Sequence, residues 1–147
     1  MGLKVYLSLA LLAFLTATMG ADVVARTTIA GETVAFALRD HIYWAGVQFV
    51  GTLLLLAPFV AVAFICARVE KKARHRSAFL IFALAMLTLL YFYFDGHMAA
   101  QHALKGGMWT AAALSVGLLP FFIGIPLLLA AIIAGAFATK FDRRMSD

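Results

Sequence analysis

The chain has 147 residues, of which 65% are hydrophobic and 13% are charged. A soluble domain is typically about half apolar and a quarter charged, so this composition excludes that class and indicates a protein solvated by lipid. The net charge of +5 does not indicate nucleic-acid binding, because the positive residues collect beside apolar segments, where they contact anionic lipid headgroups. We therefore expect the lipid bilayer, and no nucleic acid, as a partner.

Four apolar segments are long enough, or nearly so, to cross a membrane as helices, which takes about 20 residues. They cover residues 5–20, 42–67, 77–94 and 109–139, and none has a Lys, Arg, Asp or Glu in its interior. The predicted fold class is therefore all-α: an integral membrane bundle of four transmembrane helices that forms a single domain over residues 1–147.

The first segment has two interpretations. It is either a retained span or a cleavable signal peptide, because Lys4 precedes a short apolar core and Thr18 and Gly20 satisfy a small-x-small cleavage rule. Residues 21–41 then form a polar loop, in which Thr27 to Val34 could make a small hairpin.

The connection at residues 68–76 determines the predicted orientation. It holds five basic residues that we interpret as topology anchors: Arg68, Lys71, Lys72, Arg74 and Arg76. The positive-inside rule places such a loop in the cytoplasm. The N-terminal flank and the C-terminal tail are also basic, whereas loops 21–41 and 95–108 are not, so we expect both termini to be cytoplasmic and both of these loops to lie outside. The expected location is a bacterial-type inner (plasma) membrane.

Aromatic residues favour the same boundaries. Rings with a polar edge prefer the membrane–water interface. Five of them fall at the predicted outer ends of the spans: Tyr43, Trp44, Tyr91, Tyr93 and Trp109.

The long fourth segment contains two features of its own. Helix-breaking residues predict a kink or break near mid-membrane, at Gly117, Pro120, Gly124 and Pro126. Such a break could line a transporter site, but we favour a bend that fits one helix around its neighbours. Further along, small residues recur at helical spacing and predict close helix packing, within the bundle or between subunits, at Ala130, Ala134, Gly135 and Ala138.

Chemistry-bearing side chains gather on the predicted outer side. Imidazoles and carboxylates are ligands of divalent transition metals, and a His pair can hold haem, so the candidate ligands are Asp40, His41, Asp95, His97 and His102. If the third helix continues past Phe94, however, Asp95 and His102 share a face that His97 does not. We therefore favour interfacial polar residues over a metal or haem site. An acid–base role for the same set is a further alternative.

The function predicted from these patterns is association. Spans without internal charge do not indicate energised transport. We expect a non-enzymatic accessory subunit, assembly factor or partner-binding protein that contacts other membrane subunits or copies of itself. The alternatives are a metal- or haem-binding membrane component, and a small pore or lipid carrier built around the bent fourth helix.

Overall fold

The computed structural model describes residues 2–144, with side chains for residues 2–142. The predicted all-α membrane bundle is confirmed: the protein is 91% helical, and the described residues contain no strand. Four helices are long and apolar enough to cross a membrane: Leu3–Ala30, Phe49–Glu70, His75–Lys105 and Trp109–Asp142.

The first spanning helix changes its winding along its length. It consists of α1 (Leu3–Leu15), a π-helical turn (Thr16–Gly20), α2 (Ala21–Ala25) and a second π-helical turn (Arg26–Ala30). Gly31 ends it with φ of 72°, in the left-handed region that glycine enters without a Cβ clash.

The remaining helices follow after short connections. Thr33 caps α3 (Val34–Val47) by accepting a hydrogen bond from the Phe36 amide. The others are α4 (Phe49–Glu70), α5 (His75–Lys105), α6 (Trp109–Gly117) and, after a π-helical turn at Pro120–Gly124, α7 (Ile125–Arg144).

The predicted loops are largely helical, which corrects their boundaries. Residues 21–30 continue the first helix, residues 34–47 form α3, and α5 extends to Lys105 instead of ending at Phe94. The hairpin considered for residues 27–34 is therefore wrong. The charged residues in these stretches indicated loops. A helix near the membrane can nevertheless contain charged residues when each of them has a partner of opposite charge.

The core lies around α4 and α5, which contact each other and both other spans. Edge-to-face ring pairs connect the helices: Phe14 with Phe59 at 5.6 Å between centroids, and Phe59 with Tyr93 at 5.1 Å. Tyr6 packs on Phe82 in the same way. The first span thus contributes two buried rings, Tyr6 and Phe14, to the core.

Tyr93 differs from its predicted interfacial position. Its ring is completely buried, and its hydroxyl donates to the Leu55 carbonyl oxygen over 3.0 Å. That carbonyl lies in α4, in the turn before Pro58. The bond therefore connects α5 to the backbone of α4. The other predicted interfacial rings are exposed: Tyr43, Trp44, Tyr91 and Trp109.

Glycines let the fourth span approach its neighbours closely. A Cβ added to Gly124, in the π-helical turn, would lie 2.6 Å from Pro58 Cγ, and one on Gly135 would lie 2.5 Å from Val69 Cγ2. On α5, a Cβ at Gly96 would lie 2.9 Å from the Ser115 carbonyl oxygen. These three positions fix the distance between the fourth span and the central pair.

The residues predicted to kink the fourth span and those predicted to pack it closely differ in their location and burial. The α-helical pattern is interrupted after Gly117, where the Phe121 and Phe122 amides both donate to the Leu118 carbonyl oxygen. Pro120 opens the π-helical turn, and Pro126 lies in the first turn of α7, where a missing N–H is tolerated. Among the small residues, Gly135 is buried, Ala134 and Ala138 are half-buried and Ala130 is exposed.

The basic end of the bundle, residues 68–76, contains the connection between α4 and α5. All five predicted anchor residues are exposed there. Asp142 of α7 accepts hydrogen bonds from the Arg74 amide at 2.8 Å and from Ser77 Oγ at 3.0 Å, so it caps the N-terminus of α5. The side chains of Arg143 and Arg144, and residues 145–147, lie outside the described part of the chain.

We expect Gly124→Ala to destabilise the bundle by about 1–3 kcal/mol, because the rigid Pro58 ring must move to admit the methyl group. Thermal unfolding in a mild detergent measures the effect. Gly46→Ala is the matched control, since a Cβ at this helical glycine has no atom within 4 Å. Equal melting temperatures for the two variants would contradict the close contact.

Candidate functional site

A cavity of about 540 Å³ opens in the half of the bundle opposite the basic end. It lies between the first span and α6, beside the junction of α3 and α4. At that junction the backbone of Gln48 leaves helical geometry (φ −100°, ψ 43°), and Thr52 Oγ1 donates across the break to the Ala45 carbonyl oxygen over 3.0 Å. The change of direction keeps the α3–α4 arm from closing the gap. Most of the wall is apolar and includes Phe14, Leu55 and Pro120.

One end of the cavity is polar because of charged residues on the extended first helix. Thr18, Asp22 and Arg26 recur at every fourth position, so they share one face of that helix and all three line the cavity. Thr18 is buried and donates to the Phe14 carbonyl oxygen in its own helix at 2.8 Å. The two charged residues require partners from outside the helix.

Arg26 obtains its partners from the segment that follows. Its Nε donates to Glu32 Oε2 at 2.7 Å and its Nη1 to Asp40 Oδ2 at 2.6 Å, while Asp22 Oδ2 lies 3.9 Å away. The Arg26 side chain is only 13% exposed. A planar guanidinium suits such a cluster because it donates in several fixed directions. The cluster holds α3 against the first helix and forms one end of the cavity.

His41 and Asp22 form a second polar pair. His41 Nδ1 lies 2.9 Å from Asp22 Oδ2 across the interface between α3 and α2. The carboxylate favours a proton on Nδ1, so that Nε2 of the neutral ring carries the lone pair. An imidazole oriented in this way can accept a proton or a hydrogen bond from a molecule in the cavity.

His97 also lines the cavity, in addition to Asp22, Arg26 and His41. It lies on α5 and is 8% exposed, and its Nε2 atom has no hydrogen-bond partner among the described residues. A buried polar atom without a partner costs about 1–3 kcal/mol, so such atoms are rare and need an explanation. The hydroxyls of Thr18 and Thr52, by contrast, bond to nearby carbonyl groups. Among the described side chains that line the cavity, His97 is therefore the one with a buried polar atom that lacks a partner.

The predicted metal ligands do not converge. Asp40 pairs with Arg26, His41 pairs with Asp22, and His97 is buried at the cavity. Asp95 and His102 are exposed elsewhere on α5, whereas His97 on the same helix is buried. This is the difference that was predicted for a third helix that continues past Phe94. Among the described residues, no group of three or more His, Cys, Asp or Glu side chains is arranged to hold a metal ion. Of the five candidate ligands, Asp40 instead belongs to an ion cluster with Arg26, Glu32 and Asp22.

Sequence reasoning missed Asp22, Arg26 and Glu32. They were assigned to a loop, because the apolar run ends at Gly20 and charge follows it. The signal that could have found them is the spacing of Thr18, Asp22 and Arg26, which continues a helical face beyond the apolar segment.

No protein-family model, no curated protein and no solved structure matches this chain, so its function is argued from the site itself.

Proposed function

We propose that the protein binds an amphipathic molecule from the membrane in the cavity beside His97. The observation that carries this proposal is a buried imidazole, without a hydrogen-bond partner among the described residues, at the polar end of an apolar cavity. A head group that bonds His97 Nε2 would satisfy this atom. The proposal corresponds to the lipid-carrier alternative, with the site placed beside the interrupted fourth helix.

The dimensions of the cavity support this proposal. Its volume of about 540 Å³ falls within the range of roughly 300–1,000 Å³ that is common for small-molecule sites. Phe14, Leu55 and Pro120 give a tail an apolar surface, while Asp22, His41 and His97 give a head group hydrogen-bonding partners. This combination fits one molecule that has both parts.

We expect Gly117→Leu, which narrows the cavity, to lower binding at least about tenfold, since the tail and the new side chain cannot occupy the same volume. Gly117 lines the cavity, and a Cβ at this position has no atom within 4 Å, so the first carbon of the new side chain does not clash. The measurement is saturable crosslinking of a photoactivatable long-chain alcohol to protein in zwitterionic nanodiscs.

Gly46→Leu is the control for this experiment. Gly46 is also helical and also has open space around its Cβ position, but it does not line the cavity. If both variants crosslink like the unmodified protein, the probe does not occupy the cavity and the proposal fails.

Association through the fourth span is a second proposal. In this span 17% of the most apolar window is buried inside the bundle, compared with 28–33% in the other three. Gly135 already packs against Val69 within the bundle, whereas Ala130 is exposed and open to a second helix. The partner is another membrane subunit or a second copy of this chain.

If copies associate through this face, Ala130→Leu converts an oligomer to monomer, as measured by light scattering of the detergent-solubilised protein. A bulky side chain prevents two helices from approaching closely. Ala136→Leu, at an exposed position on another face of α7, leaves the oligomer intact. A monomeric unmodified protein would argue against self-association.

We also propose that the basic end faces the cytoplasm of a bacterial-type inner membrane, with both termini inside. The support is the exposure of all five anchor residues at this end. In a Cys66→Ala background, Asp95→Cys should react with an impermeant reagent from outside intact cells, and Arg74→Cys only after lysis. The reverse pattern would invert the orientation.

A further inference from the structure

The charge balance at the polar end of the cavity restricts the ligand. Arg26 is bonded to Glu32 and Asp40 and lies 3.9 Å from Asp22. With neutral histidines, one positive and three negative charges leave this cluster at −2. All four charged side chains are largely shielded, with exposed fractions between 13% and 28%. Charges in such a position interact more strongly than charges in open water.

In the described part of the chain, an anionic head group finds no uncommitted cation beside the cavity. Arg26 is already shared by the carboxylates around it. Among the described residues, Arg39 lies over the Phe36 ring and Lys105 contacts the Ile29 carbonyl oxygen, and neither lines the cavity. A phosphate or carboxylate would therefore meet excess negative charge.

We infer, on the basis of the proposed binding function, that the head group is a monovalent alkylammonium that binds between Asp22 and His97. The carboxylate of Asp22 accepts one ammonium N–H, and the lone pair of the neutral His97 ring accepts another. The apolar tail then extends along Phe14 and Leu55. One ligand thus satisfies His97 Nε2 and reduces the net charge of the cluster.

The test uses three molecules with the same twelve-carbon tail and different heads: dodecylamine, dodecanol and dodecanoate. Binding to protein in zwitterionic nanodiscs is measured by equilibrium dialysis at about pH 8, with empty nanodiscs subtracted. We expect the amine to bind at least about tenfold more tightly than the carboxylate, since the ammonium can donate charged hydrogen bonds to Asp22 whereas a carboxylate is repelled by it. The alcohol should fall between them.

Two variants separate the effect of charge from the effect of shape. Asp22→Asn should weaken binding of the amine at least about fivefold and leave binding of the alcohol nearly unchanged, whereas Asp95→Asn, at an exposed position on α5, should change neither.

The outcomes distinguish this inference from the proposed function. If all three molecules bind equally and Gly117→Leu blocks all of them, the cavity binds ligands but the charge inference is wrong. If none binds saturably, the binding function fails as well. If Asp22→Asn does not fold, the comparison of the three head groups on the unmodified protein still decides the inference.

Discussion

The ion cluster around Arg26 is the interaction on which the cavity half of the protein depends. A charged residue near a membrane requires partners, and Arg26 obtains them from Glu32 and Asp40, which come after the left-handed turn at Gly31. Because the charge is paired, the first helix can continue to Ala30. The same bonds hold α3 against this helix. The Arg26 guanidinium thus affects three features: the length of the first helix, the position of α3 and the polar end of the cavity.

The two halves of the bundle are built by different means. Gly124, at mid-span, and Gly135, near the basic end, let the fourth span pack directly on α4. In the other half, the break at Gln48 and the ion cluster lie beside the cavity of about 540 Å³. Close glycine contacts thus position the fourth span, whereas a backbone break and paired charges shape the wall of this cavity.

Much of the fold could be predicted from the sequence, because the lipid environment imposes a simple rule. Runs of about 20 apolar residues must become helices that satisfy their own backbone groups. The loops were predicted less well, because a charged residue such as Asp22 can lie in solvent or in a paired position on a helix, and composition does not separate these cases. The burial of Tyr93 could not be predicted for a similar reason. The carbonyl oxygen that its hydroxyl bonds belongs to Leu55, which is distant in sequence.

The sequence by itself determined the all-helical membrane fold, its four spans and the interruptions of the fourth, since these depend on local hydrophobicity and on proline and glycine. The tertiary structure decided which polar groups meet. Asp22 faces His41, Arg26 faces Asp40, and His97 turns into the cavity while His102 on the same helix remains exposed. Contacts between separate helices depend on how the helices pack and rotate against each other, which no local pattern in the chain records.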